Sequence, residues 1–255
     1  MGLFDKKFCD ICGEKIGLLG NRKVEDGNVC KNCAKKLSPF FSERRKSTLA
    51  DIKDQLAYRE ANKAAVAAFR ATRIMGTGTK VMIDEAAGKF MVTDGKKIID
   101  ENPDVMDLSQ VRSCSFDVRE DRTELKQKDK DGNNVSYSPP RYRYRYYFYI
   151  NISVDSPWFD QIRYQLNSNL IEAEETGGIQ LFGSGRRSGH AYGQCEALAN
   201  EIVSVLIQGS RTAVTNAAPA PAPVPAQPQP QTCPYCGTSS VPNEQGKCPA
   251  CGGSY

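Results

Sequence analysis

Eight of the ten cysteines fall into four C-x-x-C pairs, two near each end of the chain: Cys9/Cys12 and Cys30/Cys33, then Cys233/Cys236 and Cys248/Cys251. Two residues between cysteines let one tight turn aim both sulfurs at a single ion, and two such turns complete a tetrahedron with metal–sulfur distances of about 2.3 Å. The front cluster reads C-x2-C-x17-C-x2-C, within the spacing expected of zinc, and the back cluster C-x2-C-x11-C-x2-C, a shorter ribbon variant. Gly13, Gly237 and Gly252 directly follow Cys12, Cys236 and Cys251, where a backbone folding around a thiolate needs positive φ. Cys33 instead opens into Ala34-Lys35-Lys36-Leu37, a helical stretch whose N-terminus would stabilise the Cys30 and Cys33 thiolates. The front is therefore expected to be a treble-clef-like finger and the back a zinc ribbon.

With four protein ligands each, both sites are closed, so the metals read as structural. Two zinc ions are expected, supplying folding energy of roughly 10–16 kcal/mol that such short segments cannot draw from a core. Iron also suits four thiolates and stays open as the alternative. Disulfides would need an oxidising compartment, and a thioredoxin-like redox pair would need one C-x-x-C on a βαβ scaffold. The two remaining cysteines, Cys114 and Cys195, sit at strand and helix spacing among apolar neighbours and read as core residues.

No stretch of about 18 apolar residues is present, and the Met1–Lys7 start lacks the apolar run of a secretory signal. Gly2 suggests a myristoylation start, but Lys6 stands where Ser or Thr is wanted. A cytoplasmic setting is expected. Net charge is only +4, yet residues 1–46 carry eleven Lys or Arg against six Asp or Glu. A tetrathiolate zinc centre is formally about −2, so Lys6, Lys7, Lys15, Lys31, Lys35 and Lys36 can offset it. The competing reading is a basic contact surface for nucleic acid or acidic lipid.

Five segments follow from the patterning: a four-cysteine finger over 1–41, a helical connector over 42–76, an antiparallel β domain with a closing helix over 77–210, a Pro/Ala-rich linker over 211–231 and the ribbon over 232–255. Val24–Val29 reads as a hairpin turning at Asp26-Gly27. Thr48-Leu49-Ala50-Asp51 is a capping-box start for a helix striped by Leu49, Ile52, Leu56, Val66 and Phe69. From residue 80 to 170 the period becomes two, as in Cys114/Phe116/Val118 and Phe148/Ile150/Ile152/Val154. Asp129-Lys130-Asp131-Gly132 is a hairpin turn and not a calcium loop, because its glycine is early and the closing Glu is absent. Tyr192, Cys195, Leu198, Ala199, Ile202, Val205 and Leu206 then stripe one helix. The fold class is α+β, and six or seven antiparallel strands closed by a C-terminal helix suggest a pleckstrin-homology-like barrel. The alternating prolines of 217–231 favour polyproline II, reaching on the order of 45 Å.

Cys9-Asp10-Ile11-Cys12-Gly13, Lys15–Gly20, Lys35–Phe41 and Gln55–Lys63 together resemble an uncharacterised bacterial family, a domain of unknown function described as a zinc finger or ribbon. The resemblance covers roughly residues 1–210. It implies Cys9, Cys12, Cys30 and Cys33 as metal ligands and supplies no activity.

Arg141, Arg143 and Arg145 share one face of a strand whose other face carries Tyr142, Tyr144, Tyr146 and Phe148. Either the arginines are solvated or paired with Asp117, Glu120 and Glu124, or they form a row that grips phosphates. Gly183–Gly189 lacks the Gly-Lys-Ser/Thr ending of a phosphate loop and reads as a plain loop into the last helix. Arg44-Arg45-Lys46 reads as a solvated turn, with anion contact as its functional alternative. His190 is the single histidine, no nucleophile motif accompanies it, and Glu172, Glu174 and Glu175 read as a solvated loop. The expected function is a non-enzymatic, zinc-stabilised adaptor for a protein partner. Nucleic-acid binding through the basic finger, arginine row and ribbon is the alternative, and docking of the barrel on an anionic membrane a third.

Overall fold

The computed structural model describes residues 7–95, 97–175, 189–216, 231–241, 243 and 246–254. The expectations for the chain start, for Gly183–Ser188 and for the proline-rich segment 217–230 lie outside the described residues. The chain forms two compact units, Met1–Thr215 and Asn216–Tyr255.

In the first unit, hairpins β1 (Lys7–Phe8)/β2 (Lys15–Ile16) and β3 (Asn21–Lys23)/β4 (Asn28–Cys30) precede one helical turn, α1 (Lys31–Ala34). Asp26-Gly27 does turn the second hairpin, Val24 N–H reaching Gly27 O at 3.1 Å. A Cβ at Gly27 would lie 2.7 Å from Leu49 Cδ1 and 2.8 Å from Asp10 Oδ2, so the close approach of the following helix explains the glycine. A 3-10 turn, Glu43–Lys46, leads to α2 (Leu49–Ala68). The Thr48/Asp51 capping box forms as expected, and Asp26 of the finger accepts from Leu49 N–H at 2.7 Å.

The buried face of α2 departs from its apolar stripe. Its buried residues are Ile52, Gln55, Arg59, Asn62 and Val66, so three polar side chains point inward. Ile52 completes the finger's small core of Cys9, Ile16, Val24, Val29, Cys30, Cys33 and Leu37. Arg59 and Asn62 enter a polar network instead. Arg59 Nη1 donates to Asp104 Oδ1 at 2.7 Å, and Ser38 Oγ donates to Asp104 Oδ2 at 2.7 Å. Arg59 Nε reaches Lys36 O at 3.2 Å, while Asn62 donates to Asn102 Oδ1 and Pro103 O and accepts from Val105 N–H. Burial, with the Asp104 charge beside it, pushes the Tyr58 hydroxyl up to about 12. A charged pair this deep persists because every arm of it is hydrogen-bonded.

Strands β5 (Arg73–Met75), β6 (Lys80–Asp84) and β7 (Lys89–Thr93) run as a meander, and after α3 (Ile98–Glu101) β8 (Val105–Asp107) joins it. A 3-10 turn, Leu108–Gln110, opens the second sheet: β9 (Val111–Lys128), β10 (Asn134–Val154), β11 (Gln161–Gln165) and β12 (Ile171–Glu175). Strand β10 is its hub, pairing along its length with β9 and on its other side with β11 and then β12. Asp129–Gly132 turns the β9–β10 hairpin, with the Asp129 carboxylate accepting from the backbone of Asp131 and Asn133 rather than facing a cation site. The acidic run Glu172–Glu175 is thus a strand and not the loop its composition suggested.

Both sheets and α4 (His190–Asn216) share one core: Val81, Ile83, Phe90 and Val92 from the first sheet, Tyr146, Phe148, Ile150 and Ile152 from β10, and Tyr192, Cys195, Ala199, Ile202 and Leu206 from the helix. The closed barrel is not formed. Among the described residues the ladders make two open four-stranded sheets, because β9 and β10, 18 and 21 residues long, spend their pairing on each other. Phe40 and Phe41 carry the end of the finger onto this core, meeting Phe159 and Trp158 at ring separations of 5.5 and 6.4 Å.

Removing one partner of the Arg59–Asp104 pair leaves an uncompensated buried charge, so Arg59→Met is expected to cost about 3–5 kcal/mol. The double variant Arg59→Met/Asp104→Leu should regain much of that loss. Urea denaturation of the metal-loaded protein measures both, and equal midpoints for the single variant and the parent would refute the clamp.

Candidate metal centres

Three of the four C-x-x-C turns adopt one geometry. Gly13 N–H donates to Cys9 O at 2.8 Å, Gly237 N–H to Cys233 O at 2.9 Å and Gly252 N–H to Cys248 O at 2.8 Å. The glycines take φ of +74°, +69° and +74°, which realises the positive φ expected of each. In each turn the first cysteine's N–H also pairs back with a carbonyl beyond the glycine, at Glu14, Thr238 and Gly253. The fourth turn is the start of α1, where Cys30 is the N-cap and its sulfur accepts from Cys33 N–H at 3.3 Å.

The front turns bring Cys9, Cys12, Cys30 and Cys33 together, their sulfurs all within 4.8 Å of one another. Cys12 and Cys30 sulfurs stand 3.7 Å apart. A regular tetrahedron with bonds of about 2.3 Å has sulfur–sulfur edges of about 3.8 Å, whereas a disulfide needs about 2.05 Å. The four thiols are free and spaced for an ion at their centre. Cys9, Cys30 and Cys33 are buried and Cys12 exposed, so the site opens on one side only.

Residues 7–55 match the family model of a domain of unknown function, DUF4428. The match takes in both hairpins, α1 and the first turns of α2. It stops well short of the 1–210 span of the resemblance. No curated protein and no solved structure matches the chain.

The sulfurs of the finger show why a cation belongs there. Burial opposes ionisation of Cys9, but backbone N–H groups of Cys30, Cys12 and Ile11 outweigh it and bring the thiol down to about 6. Cys33 is driven the other way, by burial and by the Cys12, Cys30 and Cys9 sulfurs around it. Crowded thiolates repel one another, and a divalent ion at the centre turns that repulsion into four bonds.

The second unit repeats the solution with less chain. Strands β13 (Gln231–Thr232) and β14 (Ser239–Ser240) pair around one turn, and a bridge joins Lys247 to Ser254 around the other. Cys233 and Cys251 sulfurs lie 3.6 Å apart and those of Cys236 and Cys248 3.8 Å apart. All four lie within 4.8 Å of one another, so this group can also hold a metal ion. The Gly253 N–H favours the Cys251 thiolate, but the neighbouring Cys236 and Cys233 sulfurs push that thiol up to about 12.

Two of the three arginines of the row are ion-paired. Arg143 pairs with Glu174 at 2.6 Å and Arg145 with Glu172 at 2.7 Å, while Arg141 lies over the Tyr137 ring at 4.6 Å. The acidic partners of Arg143 and Arg145 come from β12, whereas two of the candidates on the neighbouring strand, Asp117 and Glu124, pair elsewhere. Asp117 pairs with Arg163 and Glu124 with Lys126. Cys114 and Cys195 are buried in the main core as expected, and burial pushes their thiols up to about 12 and about 11. Sequence reading missed Arg59, Asn62 and Asp104; the first two had one visible signal, polar residues of α2 recurring at helical spacing inside the Gln55–Lys63 segment, and Asp104, outside α2, had none.

Metal analysis of reduced protein is expected to find two ions per chain. Cys30→Ser and Cys248→Ser should each lower that to one, and the pair together to none.

Proposed function

We propose that the protein is a zinc-stabilised, non-enzymatic interaction protein, in which the finger and α2 brace a two-sheet platform and the C-terminal ribbon recruits a protein partner. The observation that carries this reading is that two complete sets of four cysteine sulfurs occur in two separate compact units, one of them a ribbon of few residues. Four protein sulfurs per ion leave no position for a substrate, which supports a structural role. The burial of Cys114 and Cys195, with their raised thiols, argues against a nucleophile, and His190 stands exposed at the start of α4. Zinc is the metal of choice because it takes tetrahedral thiolate coordination without redox chemistry; an iron site would colour the protein.

A four-stranded meander, a second sheet built on a long hairpin, and a C-terminal helix packed on both support a pleckstrin-homology-type platform with open sheets. Such platforms serve many partners, so the recruiting role is placed on the ribbon. The ribbon exposes Tyr235 to 75%, an aromatic side chain of the type that anchors protein interfaces. A tethered second module raises the effective concentration for a partner that touches both units. Ion pairing of Arg143 and Arg145 weighs against the nucleic-acid alternative.

The test is quantitative affinity purification with the full chain, a chain lacking 217–255, Cys233→Ser and Tyr235→Ala. A partner recovered by the full chain should fall at least tenfold with all three variants, while Tyr235→Ala keeps both metal ions. Equal recovery with the truncated chain would remove the recruitment reading, and visible absorption bands in the purified protein would replace zinc with iron.

A further inference from the structure

The finger carries two features that its metal does not require. The turn between β2 and β3, closed by Gly20 N–H to Gly17 O at 2.9 Å, holds Leu18 and Leu19 at 92% and 87% exposure. Single exposed apolar residues are ordinary, but two adjacent leucines on a tight turn of a metal-braced scaffold leave a sizeable apolar tip in water.

Beside this tip lies a concavity of about 700 Å³ between β3 and the Glu43–Lys46 turn. Its walls include Arg22, Lys23, Arg44 and Arg45 against one carboxylate, Glu25. Among the described residues none of these four cations forms an ion pair, although most of the other arginines of this unit do. The Nε of Arg44 is buried without a hydrogen-bond partner. Burial, and the Arg22 and Arg45 charges nearby, hold the Arg44 guanidinium below its usual range. Four cations gathered against one carboxylate are stabilised when an oxyanion enters. Arg22 joins the two features, because its Nη1 donates to Leu19 O at 3.1 Å and to Asn21 O at 3.2 Å.

We propose that the finger docks on an anionic lipid bilayer, with Leu18 and Leu19 entering the headgroup–acyl boundary and the Arg22–Lys23–Arg44–Arg45 concavity taking the phosphate of an acidic headgroup. A polynucleotide would satisfy the cations but leave the leucines in water. A protein groove would take the leucines but would have to bring several carboxylates to the cations. An acidic bilayer meets both demands at once, apolar interior and dense anionic charge, and surface binding of this kind takes two signals acting together. The docking surface is the finger and not the face of β10 considered from sequence, where Arg143 and Arg145 are already paired. This role goes beyond recruitment by the ribbon and stands or falls independently of it.

The experiment is co-sedimentation of the metal-loaded full chain with vesicles of phosphatidylcholine alone or mixed with phosphatidylglycerol. Binding is expected only with the mixed vesicles and should weaken as salt rises. Leu18→Ser/Leu19→Ser should lower the affinity about tenfold or more. Arg44→Gln/Arg45→Gln should lower it by about fivefold for each cation. Both variants should keep two metal ions and the parent far-ultraviolet spectrum, so that the losses are not unfolding, and Arg143→Gln/Arg145→Gln should bind like the parent. Equal binding to neutral vesicles, full binding by the leucine variant, or binding to an oligonucleotide with none to acidic vesicles would each overturn the proposal.

Discussion

The convergence of four sulfurs is the constraint on which the N-terminal half depends. The finger core is eight buried residues, three of them ligand cysteines, and so little apolar area cannot offset the conformational entropy of ordering two hairpins and a helical turn. An ion held by the four sulfurs would complete that core. Because the ligands come from both the β1–β2 turn and the start of α1, closing the tetrahedron also fixes the β3–β4 hairpin that lies between them in sequence. That hairpin in turn supplies Asp26 to the first N–H of α2, so the metal's influence passes into a long helix that does not touch it.

From α2 the constraint travels through polar contacts rather than apolar ones. Arg59 and Asn62 occupy the inward face where leucines would give more burial energy. Directional bonds fix register where grease would allow sliding: Arg59 reads Lys36 O on the finger side and Asp104 on the sheet side with one rigid guanidinium. Ser38 adds a second strut to the same carboxylate. The finger and the sheets are thus held at one angle, which an apolar seam between a small finger and a broad sheet would not specify.

What the sequence made legible followed from strong local rules. The C-x-x-C spacing, the glycines after Cys12, Cys236 and Cys251, the Thr48/Asp51 cap and the two-residue alternation through Phe148–Val154 each involve neighbours a few residues apart, where backbone geometry leaves few choices. The stripe on α4 was equally plain because its inward face is wholly apolar. The inward face of α2 was not, since Arg59 looks like a surface residue until Asp104 is placed beside it, 45 residues away. Sheet closure failed for a related reason. Strand alternation tells which side chains face inward but not which edges meet, and the length of the β9–β10 hairpin could not be divided between two sheets from pattern alone. Glu172 and Glu174 were misread because their partners, Arg145 and Arg143, lie about 30 residues upstream.

The two groups of arginines show how far composition misleads about charge. The row on β10 is the denser in sequence, yet each pleat position of Arg143 and Arg145 faces a carboxylate across the ladder, so its field is largely cancelled at the surface. Arg22 lies far in sequence from the adjacent Arg44 and Arg45, and they meet only because the 3-10 turn folds back against β3. No acidic strand comes with them, and Arg44 loses water without gaining a partner. Folding has therefore spent free energy to gather uncompensated positive charge at the base of an apolar tip. The concavity, and not the arginine row, is therefore where positive charge of the first 46 residues gathers against a single carboxylate.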